Sequence, residues 1–211
     1  MIEMATNNLA GIPGFDASLP GGWTGTQNLT NRWGDVQENG DNSLTLTSTG
    51  ADAGAMQSGA GNGYGLYSFD LSSQPGDVPG MYALLWPQND QWPGPELDTV
   101  EVLPGGQAYS TVHHNNGGSD AYEAQYLGDI SVADRHIYST AWMPDSITNY
   151  VDGQAMNQFT DNVPADAAHG GMNELVGVGE QTWWSQDLQH GPNSLTLYDV
   201  QYAPPEDTVI A

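Results

Sequence analysis

Glycine and proline cut this chain into short pieces. Twenty-seven Gly and thirteen Pro are spread through 211 residues, and both residues disfavour helix interiors. Between them lie segments of four to eight residues in which apolar and polar side chains alternate, as in Ser43–Thr47 and Gly65–Leu71. That alternation is the period of a half-buried strand, and no segment carries a sustained helical stripe. Further strands are expected at Met81–Trp86, Glu96–Val102, Ala108–His113, Ala121–Leu127, His136–Trp142, Ser146–Val151, Glu174–Val178 and Ser194–Gln201. Asp152-Gly153 reads as a hairpin turn. Pro164–His169 could form one helical turn, with Pro164 tolerated at its first position. So many short strands in a chain without an internal repeat or linker predict one all-β domain over residues 1–211, built as an antiparallel β-sandwich.

Charge narrows the partners. Twenty-six acidic residues face only two basic ones, Arg32 and Arg135, for a net charge of -24. Such a surface repels nucleic acid and anionic membranes. It suits a neutral ligand, because two arginines offer little compensation for an anionic polymer. Seven Trp and ten Tyr supply material for a core and for flat binding surfaces. The absence of cysteine excludes a disulfide framework, thiol catalysis and a zinc-thiolate site. No stretch approaches the 18 or so apolar residues of a membrane-spanning helix.

Against this acidic background one hexapeptide stands out, Glu96-Leu97-Asp98-Thr99-Val100-Glu101. Alternation puts Glu96 and Asp98 on one face of a strand and sends Glu101 to the other. A β-bulge over Thr99 and Val100, counting two residues as one, would return Glu101 to the face of the first two. The two Glu residues would then lie about 13 Å apart at Cα. Side chains leaning toward each other could bring their carboxyl groups to the roughly 5–5.5 Å used in retaining glycoside hydrolysis. Three carboxylates in one groove also raise the proton affinity of at least one of them. Taken alone, the pattern also fits a solvated edge strand or a calcium site.

The hexapeptide resembles the bulged Glu-x-Asp-x-x-Glu signature of glycoside hydrolase family 16. Its flanks are similar to the same family in order. Asn62-Gly63-Tyr64-Gly65-Leu66-Tyr67 and Met81–Pro87 precede the site, and Trp92-Pro93 stands just before it. Thr111-Val112-His113 follows on the neighbouring strand. Trp142-Met143-Pro144-Asp145 with Tyr150-Val151-Asp152-Gly153 resembles a family block, and Leu195–Tyr202 a closing strand. The likeness covers about residues 15–204. Thr99 stands where the family usually carries an aliphatic residue.

The resemblance implies a concanavalin-like jelly roll with a concave substrate cleft, and an endo-acting, retaining enzyme. It implies Glu96 as nucleophile, Glu101 as acid/base and Asp98 as their assistant. It requires no cofactor or catalytic metal and admits a structural calcium ion on the convex face, for which Asp16, Asp41 and Asp199 are candidates. Trp86, Trp92, His113, Trp183 and Trp184 are expected to bind substrate, whereas Trp142 and His136 are expected to be structural. Trp23 and Trp33 fit either role. His114 is expected on the opposite face from His113, and Asn115 and Asn116 in a turn. The expected substrate is a neutral β-1,3 or mixed β-1,3/1,4 glucan, cleaved by a monomer with no nucleic-acid or membrane partner. The rival readings are a non-catalytic carbohydrate-binding jelly roll and a structural, calcium-binding β-domain. Met1-Ile2-Glu3-Met4 lacks the basic start of a secretory leader. A secreted or extracellular protein using a non-classical or type I route is therefore expected. The Lys-free composition also fits a high-salt habitat.

Overall fold

The computed structural model describes residues 12, 14–15, 29–48, 53–74, 80–103, 105–165, 169–179 and 193–206. Among them every regular element is a strand. There are fourteen: β1 (Asn31–Trp33), β2 (Asp35–Glu38), β3 (Leu44–Ser48), β4 (Ala55–Gln57), β5 (Gly65–Gln74), β6 (Met81–Pro87), β7 (Glu96–Val102), β8 (Ala108–Asn116), β9 (Ser119–Tyr126), β10 (His136–Met143), β11 (Ser146–Val151), β12 (Gln154–Phe159), β13 (Met172–Val178) and β14 (Asn193–Ala203). They form two seven-stranded sheets, ordered β1-β4-β13-β6-β7-β8-β9 and β12-β11-β10-β5-β14-β3-β2. All pairings between these strands are antiparallel. This is the expected all-β sandwich.

The alternation read in the sequence sets which side chains meet between the sheets. Met81, Ala83 and Leu85 of β6, Leu97, Val100 and Val102 of β7, and Val176 and Val178 of β13 are buried from one side. Tyr67, Phe69 and Leu71 of β5, Tyr138 and Trp142 of β10, and Leu195, Leu197 and Val200 of β14 meet them from the other. Trp142 is in the core as expected, edge-on to Tyr64 at 5.0 Å, and its indole N–H donates to the Pro164 carbonyl at 3.0 Å. The outer face of β5 is covered as well. Ile12 packs with Leu66, Ile137, Ala141 and Ala203, and Phe15 bridges to Pro205. Strand β5 is therefore buried on both faces, which explains its near-continuous burial where simple alternation would expose every second residue.

Several local expectations need correction. Asn115 and Asn116 end β8, and the turn falls on Gly117 and Gly118. Both glycines have positive φ, 65° and 94°, which suits a tight hairpin. Strand β9 begins at Ser119, two residues before the expected start. Strands β1, β2, β4 and β12 have no counterpart in the sequence reading. Asp152-Gly153 does turn a hairpin, with φ of 51° and 80°, and β12 is its returning arm. The Pro164–His169 turn falls largely on residues outside those described.

Candidate active site

The β-bulge on β7 is present where the carboxylate spacing required it. On β8, Asp98 pairs with Thr111 and Glu101 with Tyr109, so Thr99 and Val100 together face Ser110 alone. On β6 the register also slips, from Asp98 opposite Leu84 to Val100 opposite Ala83. Both bulged residues point into the sandwich. Val100 joins the core, and the Thr99 hydroxyl lies 2.8 Å from that of Thr140 on the facing sheet. That buried partner explains a threonine where an aliphatic side chain is usual. With two inward residues in succession, Glu96, Asp98 and Glu101 all face outward.

The antiparallel register extends this face into three rows across the sheet. One row runs Trp33, Ala55, Gly177, Tyr82, Glu101, Tyr109 and Tyr126. The middle row contains Leu175, Leu84, Asp98, Thr111 and Ala124. In the third, Glu96 faces His113 and His113 faces Tyr122, while Trp86 faces Asn173. Gly177 is needed in this floor, because a Cβ there would lie 2.4 Å from the Tyr82 hydroxyl.

Trp33, Tyr82, Leu84, Trp86, Trp92, Glu96 and Leu175 line an apolar cleft of about 550 Å³ that ends at the carboxylates. Trp86 and Trp92 stack at 5.5 Å with planes 16° apart, and the Trp86 N–H donates to Asp90 at 2.9 Å. Trp92 precedes a cis peptide to Pro93 and stands 5.7 Å from the His113 ring. Beyond the carboxylates the face continues over Tyr109, Tyr126, His113 and Tyr122. Trp92, Tyr126 and Trp33 are all exposed, and Tyr122 the most at 66%. These are flat apolar surfaces in reach of solvent.

The three carboxyl groups differ in surroundings. Glu101 accepts a hydrogen bond from the Thr111 hydroxyl at 2.9 Å. Asp98 is 3% exposed; its Oδ2 lies 3.3 Å from His113 Nε2, but without hydrogen-bond alignment. Burial raises the Asp98 carboxyl well above its ordinary range, with the Glu101 and Asp120 charges adding to it. Burial, and then the Asp98 charge, pushes Glu96 up to about 9, against an opposing effect of His113. The cluster therefore keeps protons at neutral pH.

This has a consequence for stability. The unfolded Glu96 ionises near 4.5 and the folded one near 9. The folded state thus binds more protons over that interval, and stability falls as pH climbs through it. Glu96→Gln is expected to match the wild type in Tm near pH 4 and to exceed it by about 3 °C or more near pH 8, read by calorimetry.

Of the sequence-predicted residues, Glu96, Asp98, Glu101, Trp86, Trp92 and His113 come together on this face. Trp183 and Trp184, like Trp23 and Asp16, lie outside the described residues. His114, next along β8 from His113, points away from the carboxylates and lines a second pocket beside Pro93 and Pro164, which His113 also borders. His136 is held by Asp152 at 2.7 Å, in keeping with a structural role. Asp41 accepts from the Ser43 backbone and hydroxyl, as a turn residue does. Among the described residues no cluster of three His, Cys, Asp or Glu is arranged for a metal ion. Sequence reasoning placed Thr111 on the neighbouring strand without giving it a role, and gave none to Tyr82, Tyr109, Asp120, Tyr122 or Tyr126. Their signal was cross-strand register, visible only once the sheet order is known.

Comparison with known proteins agrees with the geometry. The family Glycosyl hydrolases family 16 matches residues 25–186. A beta-glucanase of Brevibacillus brevis is 28% identical over 204 residues, covering 89% of this chain and 76% of its own length. The solved beta-glucanase of Bacillus licheniformis superposes with a TM-score of 0.60 at 20% identity, over 82% of this chain and 86% of that one. A structure from work on endo-acting O-glycanases of the human gut microbiota gives 0.68 at 16% identity, over 87% and 88%. The sandwich is therefore shared by proteins described with different glycans.

Proposed function

The chain belongs to glycosyl hydrolase family 16, and from that premise we propose that it is a retaining, endo-acting hydrolase of a neutral β-glucan. It is a glycoside hydrolase by family; the stereochemistry, the linkage and the residue roles are our reading. The observation that carries it is the bulge, which sets Glu96, Asp98 and Glu101 on one face, with Glu96 at the end of an aromatic-lined cleft.

Glu96 attacks the anomeric carbon and forms a glycosyl-enzyme while Glu101 gives its proton to the departing oxygen. Glu101 then takes a proton from water, whose oxygen attacks the same carbon and frees Glu96. The Thr111 hydrogen bond fixes the Glu101 carboxylate for both transfers. Glu96 must be ionised to attack and Glu101 protonated to donate; the Asp98 charge is one of the causes that raise Glu96, so a proton held on buried Asp98 favours the ionised nucleophile. The acid limb of kcat/KM is accordingly expected above the ordinary carboxylate range.

Charge supports a neutral substrate. Arg135 is bound to Asp70 by two hydrogen bonds of 2.7 and 2.5 Å, and Arg32 to Glu38 at 2.6 Å. Neither cation lines the cleft, whose one ionisable carboxyl is that of Glu96. Sugar rings present apolar faces that stack on indole, as Trp86 and Trp92 offer. A glucan polymer is too large to enter a cell, which supports a secreted or extracellular enzyme.

The test is product analysis on neutral β-1,3 glucan, mixed-linkage β-glucan, a galactan and a sulfated polymer. Oligosaccharides from a neutral glucan are expected; release only from the sulfated polymer would overturn the substrate assignment. In the same assay Trp86→Ala is expected to raise KM about tenfold or more, with a smaller change in kcat, because stacking supports bound substrate in ground and transition state alike. Polymer binding with no products at all would favour the carbohydrate-binding module.

A further inference from the structure

His113 stands between two carboxylates. Its Nδ1 is 3.1 Å from both oxygens of Asp120, on β9, and its Nε2 is 3.3 Å from Asp98 Oδ2. The groups facing this imidazole are Glu96 and Asp98 on β7, Asp120 and Tyr122 on β9, and the Trp92 ring, with Glu101 two rows further along the same face. The family signature accounts for the three residues on β7; nothing in it speaks of Asp120.

A carboxylate can only accept a hydrogen bond, so the nitrogen that faces Asp120 must carry a proton. That fixes Nδ1 as the N–H and leaves Nε2 toward Asp98. One proton then lies between Nε2 and Asp98, either on the imidazole or on the carboxyl group. Asp98 is buried, and this nitrogen, 3.3 Å from Oδ2, stands with the Glu101 carboxyl as a polar group beside it. We propose that Asp120 is a positioning residue of this active site: by holding the Nδ1 proton of His113 it presents Nε2 to Asp98, and so keeps a proton on the Asp98–His113 pair and off Glu96. Asp120 needs no contact with substrate to do this. The proposal rests on the assignment of Glu96 as the nucleophile.

Asn in place of Asp120 removes the charge. Its amide can also donate to Nδ1, which frees the imidazole to turn its N–H toward Asp98. The proton formerly held by the pair then falls more readily to Glu96. The Asp120 charge itself raises Glu96, but more weakly than the His113 charge lowers it; with the imidazolium lost in Asp120→Asn, the acid limb of kcat/KM is expected to move up by about one pH unit. At the wild-type optimum kcat is expected to fall about tenfold, with KM changed less than about twofold. Nitrogen NMR of the imidazole is expected to report the Nδ1–H form in the wild type and a mixture in the variant. Asp120→Glu is expected to restore both the pH profile and the tautomer in part.

An unshifted profile with an unchanged tautomer would overturn the proposal. So would a raised KM with the profile unmoved, which would make Asp120 a substrate contact. Glu96→Gln run beside these variants separates the two assignments. If it is inactive while Asp120→Asn behaves as wild type, only the role of Asp120 fails. If Glu96→Gln is fully active, the nucleophile assignment fails with it.

Discussion

Glu96→Gln is expected to lose at least about 10³-fold in kcat on glucan while remaining folded and able to bind polymer. The amide is nearly the shape of the acid, so the loss reads out the missing nucleophile and little else. Activity and stability should move in opposite directions in this one variant. Burial and the Asp98 charge oppose ionisation of Glu96, and a neutral amide escapes that penalty. Replacing Glu96 with Gly opens the nucleophile's side of the cleft. Added azide would then attack a β-linked substrate from that vacant face and yield an α-glycosyl azide, with inversion at the anomeric carbon.

Glu101→Ala is expected to act differently. Without a proton donor, departure of an alcohol from a polysaccharide should slow by about 10²- to 10⁴-fold. An aryl glycoside whose leaving group needs no proton should be spared in the first step. The glycosyl-enzyme would form on Glu96 and then wait for a nucleophile that needs no base. Azide, attacking from the face opposite Glu96, would give the β-glycosyl azide. The two rescue products thus have opposite configurations, and an exchange of roles between Glu96 and Glu101 would exchange them. The alkaline limb of the pH–rate profile should also disappear in Glu101→Ala.

The parts of this site legible in the sequence were those carried by local spacing. A separation of five positions from Glu96 to Glu101 is the wrong parity for a regular strand, and the bulge that repairs it is found at Thr99 and Val100. Trp86 and Trp92 were legible because they flank the catalytic strand in sequence. The aromatic partners on β8 and β9 were not. Pairing register sets Tyr109 opposite Glu101, Tyr126 opposite Tyr109 and Tyr122 opposite His113, and a one-residue slip would have turned each of them to the opposite face. Asp120 belongs to the same class, since its contact with His113 spans a hairpin whose turn was expected at Asn115 and Asn116.

The fold was read where alternation is strong and missed where neighbours impose the strand. Strands β1 and β4 have three residues each, Asn31–Trp33 and Ala55–Gln57, too few to display a period. Their pairing to each other and to β13 supplies what propensity does not. Trp33 consequently could not be assigned from sequence, yet it lines the cleft. Strand β12 is largely exposed and polar, as an edge can be. Its signal was indirect, because the Asp152-Gly153 turn after β11 already required a returning arm.

The measurement that tests the central claim most directly is proton NMR of the first sugar product released from a mixed-linkage β-glucan, recorded before mutarotation. Double displacement through Glu96 and Glu101 predicts that the β-anomer forms first and the α-anomer grows in only as the product equilibrates. An α-anomer present from the first spectrum would contradict a covalent intermediate on Glu96. It would make the bulged carboxylates an acid and a base that activate water in a single displacement.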